Sequence, residues 1–233
     1  GAGVQPMSEA FTTLYFASGG EFFDEAGNPV FDNPKAVEIL NMLKGLTRPN
    51  RNLYINVDYM SMPFANQQIA SYIYSSASFP YNEKGSAGKF RYEVAPIPAG
   101  EGADARYLMQ GMNLGVFRNR PEAERKAAMR LVRFLTDVEN AVTWATRTGY
   151  MPIRYSMLQN PEMRRYMEEH PHYALASSLV QADKGKQEPK LTEWDGIRVE
   201  LGTVVDRVLN RGADPQKELT ALKQKVEERL RKK

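Results

Sequence analysis

The sequence predicts a globular chain in which helices are interspersed with short extended segments, and three observations carry that expectation. Of its 233 residues, 42% are hydrophobic and 25% charged, the proportions of a chain that folds around a sizeable core. Leu, Ile, Val and aromatic residues recur from end to end, at helical spacing in some stretches and in strand-like alternation in others, so no stretch reads as a linker. Gly, Pro, Asn and Asp fall between these stretches as turn and capping signals. The length suits one large domain or two small ones, at about 150 residues per domain. No apolar run approaches the roughly 20 residues that span a bilayer.

Taken in order, residues 21–31 read as two short extended pieces around a Gly27-Asn28 turn. Asn33-Pro34 opens a helix, because Asn caps a backbone N–H while proline at the first position loses nothing. Ala36, Leu40 and Leu43 share a face of it, and Gly45 is expected to end it. Residues 58–70 read as a helix and 71–75 as a strand. Residues 92–100 begin extended and break at Pro96 and Pro98, as suits a crossing strand. Residues 108–117 are extended again, around Gly111 and Gly115.

Pro121 opens what reads as the longest helix. Ala127 or Ala128, Leu131, Phe134 and Leu135 are expected to face inward, with Glu122, Arg125, Arg130 and Arg133 outside. Asp137 caps the next helix, which carries Val138, Val142 and Trp144 or Ala145 and ends at Thr148-Gly149. Residues 162–169 are helical and broken by His170-Pro171-His172. A helix runs from about 194 to 209. Asp214-Pro215 announces the last, with Leu219, Leu222, Val226 and Leu230 in one stripe. There is no internal repeat and no low-complexity tract.

The absence of cysteine and the presence of only two histidines nearly exclude soft-metal and nucleophile-base chemistry, and no cofactor is expected. His170 and His172 are a poor ligand pair, since Pro171 holds the backbone between them extended. No phosphate loop, dinucleotide fingerprint or nucleophile elbow is present. The adjacent acids Asp24-Glu25 and Glu168-Glu169 point apart and read as solvent-facing charge. The net charge of +3 reflects a basic tail, since residues 217–233 carry +4 and residues 1–50 carry −3. That distribution describes a solvated helix end rather than a nucleic-acid surface. Phe11, Tyr15, Phe79, Tyr81, Tyr107, Tyr150 and Trp194 lie near element ends. Flat rings beside a few polar groups suit a sugar-like ligand, with core packing as the alternative. Gly1–Val4 has no signal-peptide pattern, and the six residues ahead of Met7 read as the middle of a longer sequence.

Several segments together resemble the extracellular solute-binding proteins of ABC importers, the group of maltose- and glycerol-phosphate-binding proteins. They are Ala17-Ser18-Gly19-Gly20-Glu21-Phe22-Phe23-Asp24 with Gly27-Asn28-Pro29-Val30-Phe31, then Phe64-Ala65-Asn66-Gln67-Gln68-Ile69-Ala70, then Val94-Ala95-Pro96-Ile97-Pro98. Further along come Gly111-Met112-Asn113-Leu114-Gly115-Val116, Thr148-Gly149-Tyr150-Met151-Pro152-Ile153-Arg154, and Trp194 in the penultimate helix. Their order and spacing cover almost the whole chain.

The resemblance implies a periplasmic-binding-protein-like (type II) fold, two α/β lobes that close on a solute as a hinged trap, here the C-terminal lobe plus part of the N-terminal lobe. Residues 1–93 and 157–233 would belong to the C-terminal lobe and 94–156 to the N-terminal lobe, with the family's first hundred or more residues without counterpart. It implies a non-enzymatic protein, periplasmic or extracellular and membrane-associated through its transporter, that binds a carbohydrate or polyol and delivers it to the permease subunits. The resemblance places Glu9, Phe11 and Thr12 among ring-stacking and hydroxyl-binding groups, and Ser75 and Phe79 in a loop where a tryptophan is usual. Gly111 and Met112 fall where backbone approaches the solute, Gly149-Tyr150 at a cleft-edge turn, and Trp194 at a sugar-stacking position. Two other readings compete. One is a carbohydrate-active enzyme using paired carboxylates, with Glu9 or Asp195. The other is a fragment that self-associates, by domain swapping or as a homo-oligomer, through an exposed lobe interface.

Overall fold

The computed structural model describes residues 2–4, 8–47, 53–55 and 59–232. Along the chain the elements begin with β1 (Ala2–Val4), α1 (Ser8–Ala17), α2 (Pro34–Thr47), β2 (Leu53–Ile55), α3 (Ser61–Ala65) and β3 (Ser71–Tyr72). A 3-10 turn (Ser76–Ser78) leads into α4 (Phe79–Ser86), followed by β4 (Tyr107–Met109), α5 (Glu122–Leu135) and α6 (Val138–Thr148). Then come α7 (Tyr155–Gln159), α8 (Pro161–Glu169), α9 (Pro171–Gln181), β5 (Gly185–Gln187), α10 (Trp194–Arg211) and α11 (Pro215–Arg231). They form two compact units, one of Gly1–Tyr74, Ala95–Met109 and Lys184–Lys233, the other of Ser75–Val94 and Gln110–Asp183. These units are defined by contact within the chain. The lobe segments 1–93, 94–156 and 157–233 are a statement about a longer fold, and their assignment is a proposal.

The first unit holds two small parallel sheets. One has the order β2-β1-β3, with Ala2 opposite Leu53 and Ser71, and the other pairs β4 with β5 from Tyr107↔Gly185 to Met109↔Gln187. Its core is built around α10, which packs on α1, α2 and α11. Ile197, Leu201, Val204, Val205 and Val208 recur at helical spacing on α10 and are buried. The expected stripes on α2 (Ala36, Leu40, Leu43) and α11 (Leu219, Leu222, Val226) are buried in the same cluster, with Leu230 at its edge.

Local chemistry sets the helix starts. Asn33 Oδ1 accepts the Ala36 N–H at 3.0 Å, and Asp214 Oδ1 accepts that of Lys217 at 2.9 Å. α10 ends at Gly212, which is left-handed, and the Lys44 ammonium donates to the carbonyls of Gly212 and Ala213 at 2.8 and 2.9 Å, a cation at a helix C-terminus. Asn33 also ties the turn together. Its amide donates to the Tyr15 hydroxyl at 2.6 Å, and that hydroxyl donates to the Glu21 carbonyl at 2.9 Å. Burial pushes the Tyr15 phenol up to about 12, with the bonds to Asn33 and Glu21 opposing the rise. Gly20 is needed beside it, because a Cβ there would lie 2.3 Å from the Tyr15 ring.

The second unit packs Phe79, Ala141, Val142, Ala145, Met157, Met163 and Tyr173 together. Asp137 caps α6 as expected, accepting the Val138 N–H at 2.9 Å, and Asn160 caps α8. Gly149 ends α6 with φ +74°, and a Cβ there would lie 2.6 Å from the Ser76 carbonyl oxygen.

Several expectations are corrected. α2 runs through Gly45 to Thr47, since one glycine in a helix costs only about 1 kcal/mol. The helix expected over 58–70 is the five-residue α3, ended where Gln67 turns left-handed at φ 57°, and Asp58 lies outside the described residues. The strand expected over 71–75 shrinks to two residues, and of the extended 108–117 only the start is paired. Pro171 does not break the helical stretch for long but opens α9, its missing N–H falling at the first helical position.

The largest correction concerns α5. It has 14 residues against 18 in α10, and none of them is buried. Leu131, Phe134 and Leu135, expected inside, are 58, 62 and 43% exposed. The helix has the expected apolar stripe, but among the described residues of its unit no layer packs over it.

Candidate functional site

Two helices of the first unit bring polar groups together. Glu9 and Thr12, three residues apart, share one side of α1, and Trp194 and Arg198, four apart, share one side of α10. The two sides meet where a Glu9 carboxylate oxygen lies 3.9 Å from Nη1 of Arg198. That guanidinium is also 3.7 Å from Glu188, which follows β5, and its Nη2 donates to Asp195 at 3.4 Å. Within this group the Thr12 hydroxyl, the second Glu9 carboxylate oxygen and the Trp194 indole N–H are buried with no hydrogen-bond partner among the described residues. An unpaired buried polar group costs about 1–3 kcal/mol, and most such groups in folded proteins are paired. Three on one pair of helices mark a place where a further hydrogen-bonding partner would be stabilising. Glu9 and Arg198 provide its accessible edge.

The rings expected here are largely engaged with one another. Phe11 is fully buried, stacked on Tyr15 at 5.4 Å and edge-on to Phe22 at 6.4 Å, so in this structure it has no free face. Trp194 sits edge-to-face on Phe22 at 4.9 Å, leaving its indole N–H as the distinctive group.

In the second unit, Ser75 accepts the Ala77 N–H at 3.3 Å, capping the 3-10 turn, and Phe79 packs in the core. Gly149 brings the Tyr150 turn close to residues 76–80, and the Tyr150 carbonyl accepts the Tyr173 hydroxyl at 2.7 Å. Gly111 and Met112 lie on a stretch without regular secondary structure, with Met112 70% exposed. His170 makes a 2.8 Å contact with Glu83. Two shallow concavities, of about 580 Å³ beside Arg165 and Tyr166 and about 500 Å³ beside Gly19 and Lys35, hold none of the nine expected residues. Arg198 and Glu188 were not among those nine. Arg198 has a sequence signal, four residues after Trp194 on a helix, whereas Glu188 is placed by the β4–β5 pairing, which sequence periodicity does not report. Among the described residues no group of three or more His, Asp or Glu could hold a metal ion, and no helix is long and apolar enough to cross a membrane.

Comparison with solved structures defines the class. The chain superposes on UgpB of Mycobacterium tuberculosis in complex with glycerophosphocholine (TM-score 0.79, 18% identity, 99% of this chain, 58% of that one). It likewise matches the GacH receptor of Streptomyces glaucescens (0.81, 16%, 98% and 58%) and the sugar-binding MalE of Xanthomonas citri (0.76, 19%, 99% and 58%). The fold is therefore the α/β, periplasmic-binding-protein-like type II fold, of which this chain carries a part. Residues 3–173 match the signature of the bacterial extracellular solute-binding proteins, and the chain belongs to that family. Its relatives include the sn-glycerol-3-phosphate-binding periplasmic proteins of Pectobacterium atrosepticum (26% identical over 187 residues, 77% of this chain) and Salmonella typhimurium (25% over 209 residues, 86%). The chain spans 40 and 46% of their lengths.

Proposed function

We propose that this chain supplies one side of the solute site of an ABC-importer binding protein, and that the solute is a sugar or other polyol. The observation that carries the reading is the set of unpaired buried groups on Glu9, Thr12 and Trp194 beside Arg198. A hydroxyl both donates and accepts, so a polyol suits a face that offers a carboxylate acceptor, an indole donor and a threonine hydroxyl together. The family, and relatives named for sn-glycerol 3-phosphate, support it. On this reading residues 1–93 and 157–233 form the C-terminal lobe and 94–156 enter the other. Ser75, Phe79, Gly111, Met112 and Tyr150, all in the second unit, are further candidates for solute contact. Closure traps the solute outside the cytoplasmic membrane, and the loaded protein docks on the permease. Phe11 then supports the site from behind.

The chain has two tryptophans, so Trp144→Phe leaves Trp194 as the reporter. Titration of that variant with maltotriose, ribitol and sn-glycerol 3-phosphate should give saturable fluorescence changes with at least one of them, weakened by Glu9→Gln. A flat response to all three, with unchanged thermal unfolding, overturns the proposal. A second reading, self-association, is favoured by one observation, the exposed Leu131 and Phe134 on α5.

A further inference from the structure

We infer that the α1–α10 face selects an uncharged polyol over a phosphorylated one; this rests on the solute-site reading above. Three carboxylates, Glu9, Glu188 and Asp195, surround the single guanidinium of Arg198 at 3.4–3.9 Å. Of the neighbouring cations among the described residues, Lys186 pairs with Glu21, and Arg229, which approaches Gly196, pairs with Glu200. The local field is therefore negative, and Arg198 is neutralised by its neighbours before any solute arrives.

Hydrogen-bond chemistry points the same way. The unpaired Glu9 oxygen requires a donor. A phosphoryl group placed at that position presents acceptor oxygens and negative charge, leaving the carboxylate unmatched and repelled. A neutral polyol donates to Glu9 and accepts from the Trp194 indole N–H or from Arg198 with the same kind of group. sn-Glycerol 3-phosphate keeps two of its hydroxyls, so the penalty it meets is repulsion of its phosphate by the three carboxylates rather than a missing donor.

The test is calorimetric titration of the full chain with ribitol, maltotriose and sn-glycerol 3-phosphate at low and at physiological ionic strength. At least one neutral polyol should bind with a Kd about tenfold or more below that of the phosphate ester. The gap should narrow as salt screens the repulsion. Glu188→Gln should narrow it as well, chiefly by strengthening the phosphate ester. Equal or tighter binding of sn-glycerol 3-phosphate overturns the charge selection while leaving a solute site in place. So does a preference for the neutral polyol that neither salt nor Glu188→Gln changes by twofold, because its cause would then lie elsewhere. Absence of binding by all three removes the site reading and this inference together.

Discussion

Replacing Tyr15 by Phe removes one oxygen from the centre of the first unit and tests whether the polar network there holds the core in register. The hydroxyl makes two bonds, donating to the Glu21 carbonyl at 2.9 Å and accepting from the Asn33 amide at 2.6 Å. Each is worth about 1 kcal/mol net, and the ring's packing is unchanged by the substitution. Asn33 keeps the Val30 carbonyl at 2.9 Å as a second acceptor, which limits the penalty on its side. The expected loss is about 1–2 kcal/mol, read as a lower urea midpoint at unchanged m-value, or roughly 3–6 °C in Tm for a chain of this size. Asn33→Ala costs more, because the same side chain caps α2 at Ala36. The double variant should be less destabilised than the two singles added, by about 0.5–1 kcal/mol. A Tyr15→Phe variant within 0.3 kcal/mol of wild type (about the scatter of such comparisons), or strict additivity with Asn33→Ala, would refute the reasoning.

Gly20→Ala should destabilise by about 1–3 kcal/mol in the same assay, since the added methyl carbon meets the Tyr15 ring at 2.3 Å and the core must move to admit it. A stabilised variant would show that the turn is looser than its geometry. Glu200 supplies a pH dependence. Burial works to raise its pKa, but hydrogen bonds from Arg229 and Lys225 and their charges overrule it and hold the carboxyl below its ordinary 4.5. The folded value lies below the unfolded one, so its stabilisation is complete above about pH 4.5 and is lost as pH falls through the folded value. The urea-midpoint gap between wild type and Glu200→Gln should therefore hold at neutral pH and close in acid. A gap that widens in acid contradicts it. Leu131→Glu with Phe134→Glu should abolish self-association seen by light scattering, and a wild-type chain already uniform at 26.4 kDa would remove that reading.

What could be read from sequence follows the range of the interaction. The Asn33, Asp137 and Asp214 caps were legible because cap and N–H lie within three residues, and the stripes of α2, α10 and α11 because their spacing is local. α9 was hidden because Pro171 reads as a breaker when it follows helix, although the same ring is favoured at a first position. Glu9, Thr12 and Trp194 could be named, but that Glu188 completes their surroundings depends on β5 pairing with residues almost eighty positions away.

α5 shows a different limit. Its stripe of Ala127, Leu131 and Phe134 is as regular as that of α10, and the two helices end in opposite states, one sealed in a core and the other uncovered. Periodicity states that a face is made for burial; it carries no information about what buries it. For α10 the covering helices are within the chain. For α5 no cover is found among the described residues of its unit, in a chain that spans 58% of the structures it superposes on. A stripe that is strong in sequence and bare among the described residues of its unit is therefore a measure of the contacts still open at α5. The same reasoning applies to the site. The buried groups of Glu9, Thr12 and Trp194 have no hydrogen-bond partner among the described residues, and the proposed solute would supply one.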